Sequence, residues 1–345
     1  MRSRHRRLSS ATCSGKSCSD AQTTICPIIG RRSHRNLLIL FRRRAKAFHH
    51  DTGRHDTGQH DNGQHTVGGR NVLITGASSG IGKATALFLA ERGYTVIATS
   101  RVASRLDDLR SEANHRGASV IGVELDINSE DSVAFTVPEL IERHGSIDAL
   151  VNNAGFGLWG PVELLSDAEL KSQFETNFFA AVRMMQAVLP AMIEQRRGTI
   201  VNISSVLGRI GTPFNGAYVS SKFALEGISE SLKTEVQPFG VRVAMVEPGL
   251  FRTNFPDNEI RGRAVDDESS AYLPYIQKQS ENHDLFELLG GDPTRVAKVV
   301  HKVITSPSPN FRNPVGIDAR AGTLAARLLP ERIYWRILSK ATMRE

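Results

Sequence analysis

The chain has 345 residues, enough for one large domain or two small ones, and 40% of them are hydrophobic, which supports a sizeable core. Its formal charge of +7 is uneven: residues 1–70 carry 14 of the 43 Lys/Arg and 4 of the 36 Asp/Glu, leaving 29 bases against 32 acids in residues 71–345. That net of −3 gives no electrostatic case for nucleic-acid binding by the folded part, and no run approaches the roughly 20 apolar residues of a spanning helix.

Residues 1–69 read as a basic, His-rich leader. Asp20 is the only acid among the first fifty residues, and residues 51–65 repeat as DTGRH, DTGQH, DNGQH. Such a tract cannot bury enough apolar surface to fold alone, so it is expected to be disordered. An organellar transit peptide, a metal-binding tract and a basic run, Arg42–Lys46, for nucleic acid or an anionic membrane surface are the competing readings; a start codon assigned too far upstream would explain a non-functional extension. Cys13, Cys18 and Cys26 all lie here, at a spacing that matches no zinc pattern. Residues 71–345 have no cysteine, which rules out a disulfide framework and a cysteine nucleophile there. The pattern fits a cytoplasmic protein, with peripheral membrane contact or organellar import as alternatives.

Asn71–Thr75 (NVLIT) is a short apolar strand, followed by Gly76-Ala-Ser78-Ser79-Gly80-Ile81-Gly82 and an amphipathic run, Lys83–Arg92. Strand, glycine turn and helix together form a pyrophosphate cradle: the glycines admit close backbone approach, and the helix start offers free N–H groups. Alternation continues. Strands are expected at Tyr94–Ser100, Ser119–Leu125, Ile147–Val151, Thr199–Ser204 and Val241–Glu247. Between them, helices are expected at Ala103–Arg116, Ser129–His144, Asp167–Gln195 (bent near Pro190) and Gly216–Gln237. This pattern argues for a parallel, doubly wound sheet in a single α/β domain, residues 70–318.

Ligands in such sheets sit at the carboxyl ends of the strands. Arg101 follows the second strand where an acid would hold a ribose 2′-hydroxyl, so NADP(H) is favoured over NAD(H). Asp126 and Ile127 follow the third strand as adenine contacts, and Asn152-Asn153-Ala154-Gly155 the fourth. Tyr218 and Lys222 are one helical turn apart, so an ammonium beside the phenol is expected to lower its pKa. Taken alone, that pair reads better as an exposed helix turn.

Together, Thr75-Gly76-x-x-x-Gly80-Ile81-Gly82, Asn152-Asn153-Ala154-Gly155, Ser205, Tyr218-x-x-x-Lys222 and Pro248-Gly249 resemble the short-chain dehydrogenase/reductase family in order and spacing, over residues 70–306. The resemblance implies a Rossmann-type fold with helices on both faces and hydride transfer between a nicotinamide and a CH–OH or carbonyl carbon. It makes Tyr218 the acid/base and gives Lys222 the nicotinamide ribose. Ser205, rather than Ser204, would take the substrate oxygen, Asn177 a relay water in a bent helix, and Thr253 the carboxamide. Gly76, Ser78, Ser79, Gly80, Ile81, Gly82, Arg101, Asp126, Ile127, Asn153, Ala154, Gly155, Pro248, Gly249 and Phe251 complete the expected cofactor contacts, and no metal is called for. Residues 213–227 are also similar to the branch with 17β-hydroxysteroid and retinol dehydrogenases, which implies an apolar, steroid-, retinoid- or acyl-like alcohol or ketone. A catalytically idle dinucleotide-binding redox sensor is the rival reading.

Residues 250–275 mix aromatics with charge and are long for a connection, as lids are. Phe156, Leu158, Trp159 and Phe214 are candidate apolar walls. Residues 319–345 form an amphipathic tail split by Pro330, expected to pack on the domain or a partner subunit of a homodimer or homotetramer, with a membrane surface as the alternative. Deletion of residues 1–65 is expected to leave melting temperature and turnover unchanged; a large loss of either overturns the reading of the leader.

Overall fold

In the computed structural model, the described residues are 70–253, 259–281 and 290–343. Expectations about the leader therefore lie outside them. The strands are β1 (Asn71–Ile74), β2 (Thr95–Ser100), β3 (Val120–Glu124), β4 (Ala149–Asn152), β5 (Leu158–Trp159), β6 (Gly198–Ile203), β7 (Val241–Pro248), β8 (Ile260–Arg261) and β9 (Arg312–Val315). The helices are α1 (Gly80–Ala90), α2 (Asp107–His115), α3 (Glu130–His144), α4 (Asp167–Phe174), α5 (Ala180–Glu194), α6 (Gly216–Val236), α7 (Leu273–Glu281), α8 (Thr294–Thr305), α9 (Ile317–Leu328) and α10 (Glu331–Thr342).

Seven strands form one parallel sheet in the order β3-β2-β1-β4-β6-β7-β9. The chain reverses its direction of winding beside β1, where β2 lies on one flank and β4 on the other. Helices cover both faces, which is why β1, β4 and β6 are apolar without alternation and buried throughout. One core packs α1, α2 and α8 on the sheet through Leu89, Leu109 and Val300. The other packs α3, α5 and α6 through Leu140, Met184 and Val236.

Four local features differ from the sequence reading. The long helix is not broken at Pro190, which sits inside α5. Met184, Met185, Val188 and Met192 are buried along the same helix, and that packing carries the loss of one backbone hydrogen bond at the proline. The break comes earlier, as a π-helical turn over Glu175–Phe179 that contains Asn177. Strand β9 has no sequence signal: it is four residues long and contains Pro314, a residue confined to sheet edges. Strands β5 and β8 pair as a separate two-stranded sheet, too short to show any periodicity. Helix α9 runs across residues 318 and 319, where the sequence placed the start of the tail.

Candidate active site

The carboxyl ends of the central strands open into a cavity of about 1540 Å³. At its floor, Gly76 and Gly80 have φ of +64° and +56°, values that side chains disfavour. A Cβ on Gly82 would stand 2.3 Å from the Gly76 carbonyl oxygen and 2.5 Å from Asn153 Nδ2, so the turn closes only around a glycine. Asn153 locks it: Nδ2 donates to the carbonyls of Thr75 and Gly76, each at 3.0 Å. The hydroxyl of Thr75 accepts the backbone N–H groups of Asn153 and Ala154 in return. Ser79 leads into α1 without a side-chain cap, and no acid stands in its first turn. The helix start is thus left to an anion, and the turn fits a dinucleotide pyrophosphate.

The cavity wall holds Gly76, Ser78, Ser79, Gly80 and Ile81 from this turn, Arg101 and Ile127 from the next two strand ends, and Asn153, Ala154 and Gly155 after β4. It continues through Ser205, Tyr218 and Lys222 to Pro248, Gly249, Phe251 and Thr253. Three expected residues stand outside it. Gly82 lies beneath the turn. Asp126 stands in the turn after β3, where its Oδ1 accepts the Asn128 N–H at 3.0 Å. Asn177 is 1% exposed and sits one layer back. Its Oδ1 accepts the Phe156 N–H at 3.1 Å, while Nδ2 donates to the Phe156 carbonyl at 2.9 Å and to Ser221 Oγ at 3.3 Å. It therefore ties the loop after β4 to helix α6.

Helix α6 presents Tyr218 and Lys222 on one buried face. Its entry is strained, because Phe214 has a φ of +63° while its carbonyl accepts the Gly160 N–H at 2.7 Å. The Ser205 hydroxyl faces that of Tyr218, and it accepts the Leu207 N–H at 3.1 Å. Lys222 Nζ donates to the Ile203 carbonyl at 2.9 Å and stands 5.6 Å from the centre of the Tyr218 ring. The expected lowering of the tyrosine pKa is corrected here. Burial pushes Tyr218 up to about 12; the Ser205 bond opposes the rise and Glu259 adds to it. Burial also brings Lys222 down to about 8, against the attraction of Glu226. Both groups move toward their neutral forms because both are far from water.

Of the candidate apolar walls, Phe156 and Trp159 line the cavity, joined by Pro213, Leu250 and Ile260. Leu158 and Phe214 pack in clusters behind it. The segment expected as a lid is anchored at its described ends. Leu250 N–H donates to Asp318 Oδ2 at 2.6 Å, and Ile260 N–H donates to the Gly157 carbonyl at 2.7 Å. Residues 254–258 lie outside the described part.

Further residues of the site were missed. Arg105 joins Arg101 in the wall, and its one-turn spacing from Arg101 was the available signal. Asn128 and Asp318 also line the wall. Gln173 holds β5 by accepting the Leu158 N–H at 2.6 Å and donating to the Phe156 carbonyl at 2.8 Å. No local pattern marks these last three, whose partners are distant in sequence.

A doubly wound parallel sheet, a glycine turn built for a pyrophosphate and a buried Ser–Tyr pair across the same cavity define a nicotinamide-dependent oxidoreductase. Comparison with known proteins agrees. The profile of the short chain dehydrogenase family matches residues 70–263. A 3-ketodihydrosphingosine reductase of Bacteroides thetaiotaomicron is 40% identical over 251 residues, covering 71% of this chain and 87% of that protein. Retinol dehydrogenase 8 of Bos taurus is 40% identical over 257 residues, covering 70% and 80%. The crystal structure of a metagenomic short-chain oxidoreductase in complex with NADP superposes with a TM-score of 0.58 at 28% identity, covering 72% of this chain and 98% of that one. The chain belongs to the short-chain dehydrogenase/reductase family, and it is an NAD(P)-dependent oxidoreductase acting on CH–OH groups.

Proposed function

We propose that this enzyme interconverts an apolar ketone and its alcohol with NADP(H), using Tyr218 as the acid/base. The observation that carries the reading is the juxtaposition of Ser205 and Tyr218, both buried in the wall of the cavity that the glycine turn also lines. The dinucleotide, when bound, supplies the hydride to the carbonyl carbon or takes it from the carbinol. Tyr218 gives its phenolic proton to the oxygen in reduction. Its raised pKa keeps that proton in place through neutral pH, the form an acid needs. Ser205 donates to the oxygen as negative charge develops there. Lys222 holds the nicotinamide ribose and lends the site its positive charge. Asn177 fixes the Phe156 loop against α6 and so holds Tyr218 at the wall. Gly76 to Gly82 with Asn153 cradle the pyrophosphate, while Pro248, Gly249, Phe251 and Thr253 border the nicotinamide.

The preference for NADP(H) is supported by Arg101 and Arg105 at the end of β2. Neither has an ion-pair partner among the described residues, and β2 ends on Ser100 instead of an acid. An apolar substrate is supported by Phe156, Trp159, Pro213, Leu250 and Ile260 in the wall, and by the names of the two relatives, a retinol dehydrogenase and a ketosphingoid reductase.

The tail leaves apolar side chains outside: Ile333 and Ile337 make a row one turn apart on α10, with Leu328 and Trp335 also well exposed. Among the described residues no helix is long and apolar enough to cross a membrane. A second copy of the chain is the proposed cover for this row, since the homodimer or homotetramer expected from the family needs a contact surface. The arginines and lysine of α10 make an anionic lipid surface the alternative.

Tyr218→Phe should lower kcat for NADPH-dependent reduction of the best ketone in a steroid, retinoid and acyl panel by at least about a hundredfold, with dinucleotide affinity kept; a wild-type rate removes the mechanism. Arg101→Asp should shift the ratio of kcat/KM values toward NAD(H) by about tenfold or more, the effect of about 1.4 kcal/mol, and an unchanged ratio shows that Arg101 does not set the preference. Light scattering should show Ile333→Glu/Ile337→Glu as a smaller species than wild type; a monomeric wild type that sediments with anionic vesicles favours the lipid surface instead.

A further inference from the structure

Next to Lys222 lies a buried charge cluster that the proposed reaction does not use. Glu226 is one turn along α6 from Lys222 and only 4% exposed. Glu247, near the end of β7, is 1% exposed. Arg312 of β9 reaches in, donating to Glu226 Oε2 at 2.7 Å and, with its other arm, to Glu230 Oε2 at 3.1 Å. The same inner nitrogen stands 3.7 Å from Glu247 Oε1, to which Arg209 donates at 3.4 Å. Glu226 Oε1 has no hydrogen-bond partner, and the Ser204 hydroxyl faces the carboxylate without closing a well-formed bond. Gly208 seals this corner: a Cβ there would stand 2.5 Å from Ser204 Oγ and 3.4 Å from Glu226 Oε1. Keeping a carboxylate dry with one oxygen unmatched is costly, and the neighbouring ammonium is a physical reason for it to be there.

We infer that Glu226 is a positioning residue, whose carboxylate, gripped by Arg312, sustains the positive charge of Lys222 and couples the active-site helix to the last strand of the sheet. This rests on the role proposed for Lys222. The groups around Glu226 are Lys222 and Glu230 on its own helix, Ser204 at the end of β6, Arg209 in the loop beyond, Glu247 on β7 and Arg312 on β9. Burial depresses the lysine, and Glu226 is the charge that opposes this. Burial likewise raises Glu226 itself to about 7; Glu247 adds to the rise, while Ser204, Arg312 and Arg209 oppose it. Without the Glu226 anion, Lys222 would release its proton at a lower pH. The form of the site that carries positive charge would then be lost earlier as pH rises.

The test is the pH profile of kcat/KM for NADPH-dependent ketone reduction, compared among wild type, Glu226→Gln, Glu226→Asp and Glu230→Gln. In Glu226→Gln the alkaline limb should move to lower pH by about one unit, as removal of an opposite charge one helical turn from a buried group predicts. Glu226→Asp keeps the charge but withdraws it by one methylene, so its limb should fall between the two. Glu230→Gln, which alters only the outer arm of Arg312, should follow wild type. A Glu226→Gln profile that superimposes on wild type overturns the inference, whatever happens to its melting temperature. If Glu226→Gln does not fold, Glu226→Asp decides: a limb moved downward supports the inference, and a wild-type limb overturns it. Active Tyr218→Phe would refute the underlying mechanism, whereas inactive Tyr218→Phe beside an unmoved Glu226→Gln profile refutes this inference alone.

Discussion

The architecture of the site depends on how closely the turn after β1 approaches the end of β4. Gly82 can have no side chain because the Gly76 carbonyl and the Asn153 amide occupy its place. The same amide satisfies two carbonyls of the turn, and Thr75 answers with its hydroxyl. Steric exclusion and hydrogen bonding thus select one conformation together. With the turn held from below, the N-terminus of α1 faces the cavity uncapped.

A second set of buried bonds holds the helix that carries Tyr218. Asn177, in a π-turn, joins it to the loop at Phe156 through Ser221. Lys222 reaches the carbonyl of Ile203, and Asn202 donates to Ser229 at 2.8 Å deeper in the core. Each contact links α6 to the end of a central strand or to the loop that follows one. A buried network of this kind permits little slack, because an unmatched polar group in a dry interior is costly. That is the rigidity a proton donor needs if its oxygen is to meet the substrate within hydrogen-bond distance.

The electrostatics follow from burial more than from pairing. Tyr218 and Lys222 stand in a largely dehydrated wall, so the phenol holds its proton more tightly and the ammonium less tightly than in water. The spacing of the two residues had suggested a lysine strong enough to acidify the tyrosine. Spacing reports that two groups share a face; it is silent on how much water reaches them.

The amino-acid sequence by itself determined the alternation of strands and helices, the glycine turn, and the positions of Ser205, Tyr218 and Lys222. These are local patterns: an apolar run covered on both faces, a turn that excludes side chains, a pair one helical turn apart. Tertiary structure decided what depends on segments far apart meeting. It set Asn177 behind the wall instead of in it. It also brought Gln173 and Asp318 to the site, and carried Arg312 from the last strand to Glu226. A short edge strand with a proline has no period to read, and a buried carboxylate acquires its environment only when the sheet closes around it.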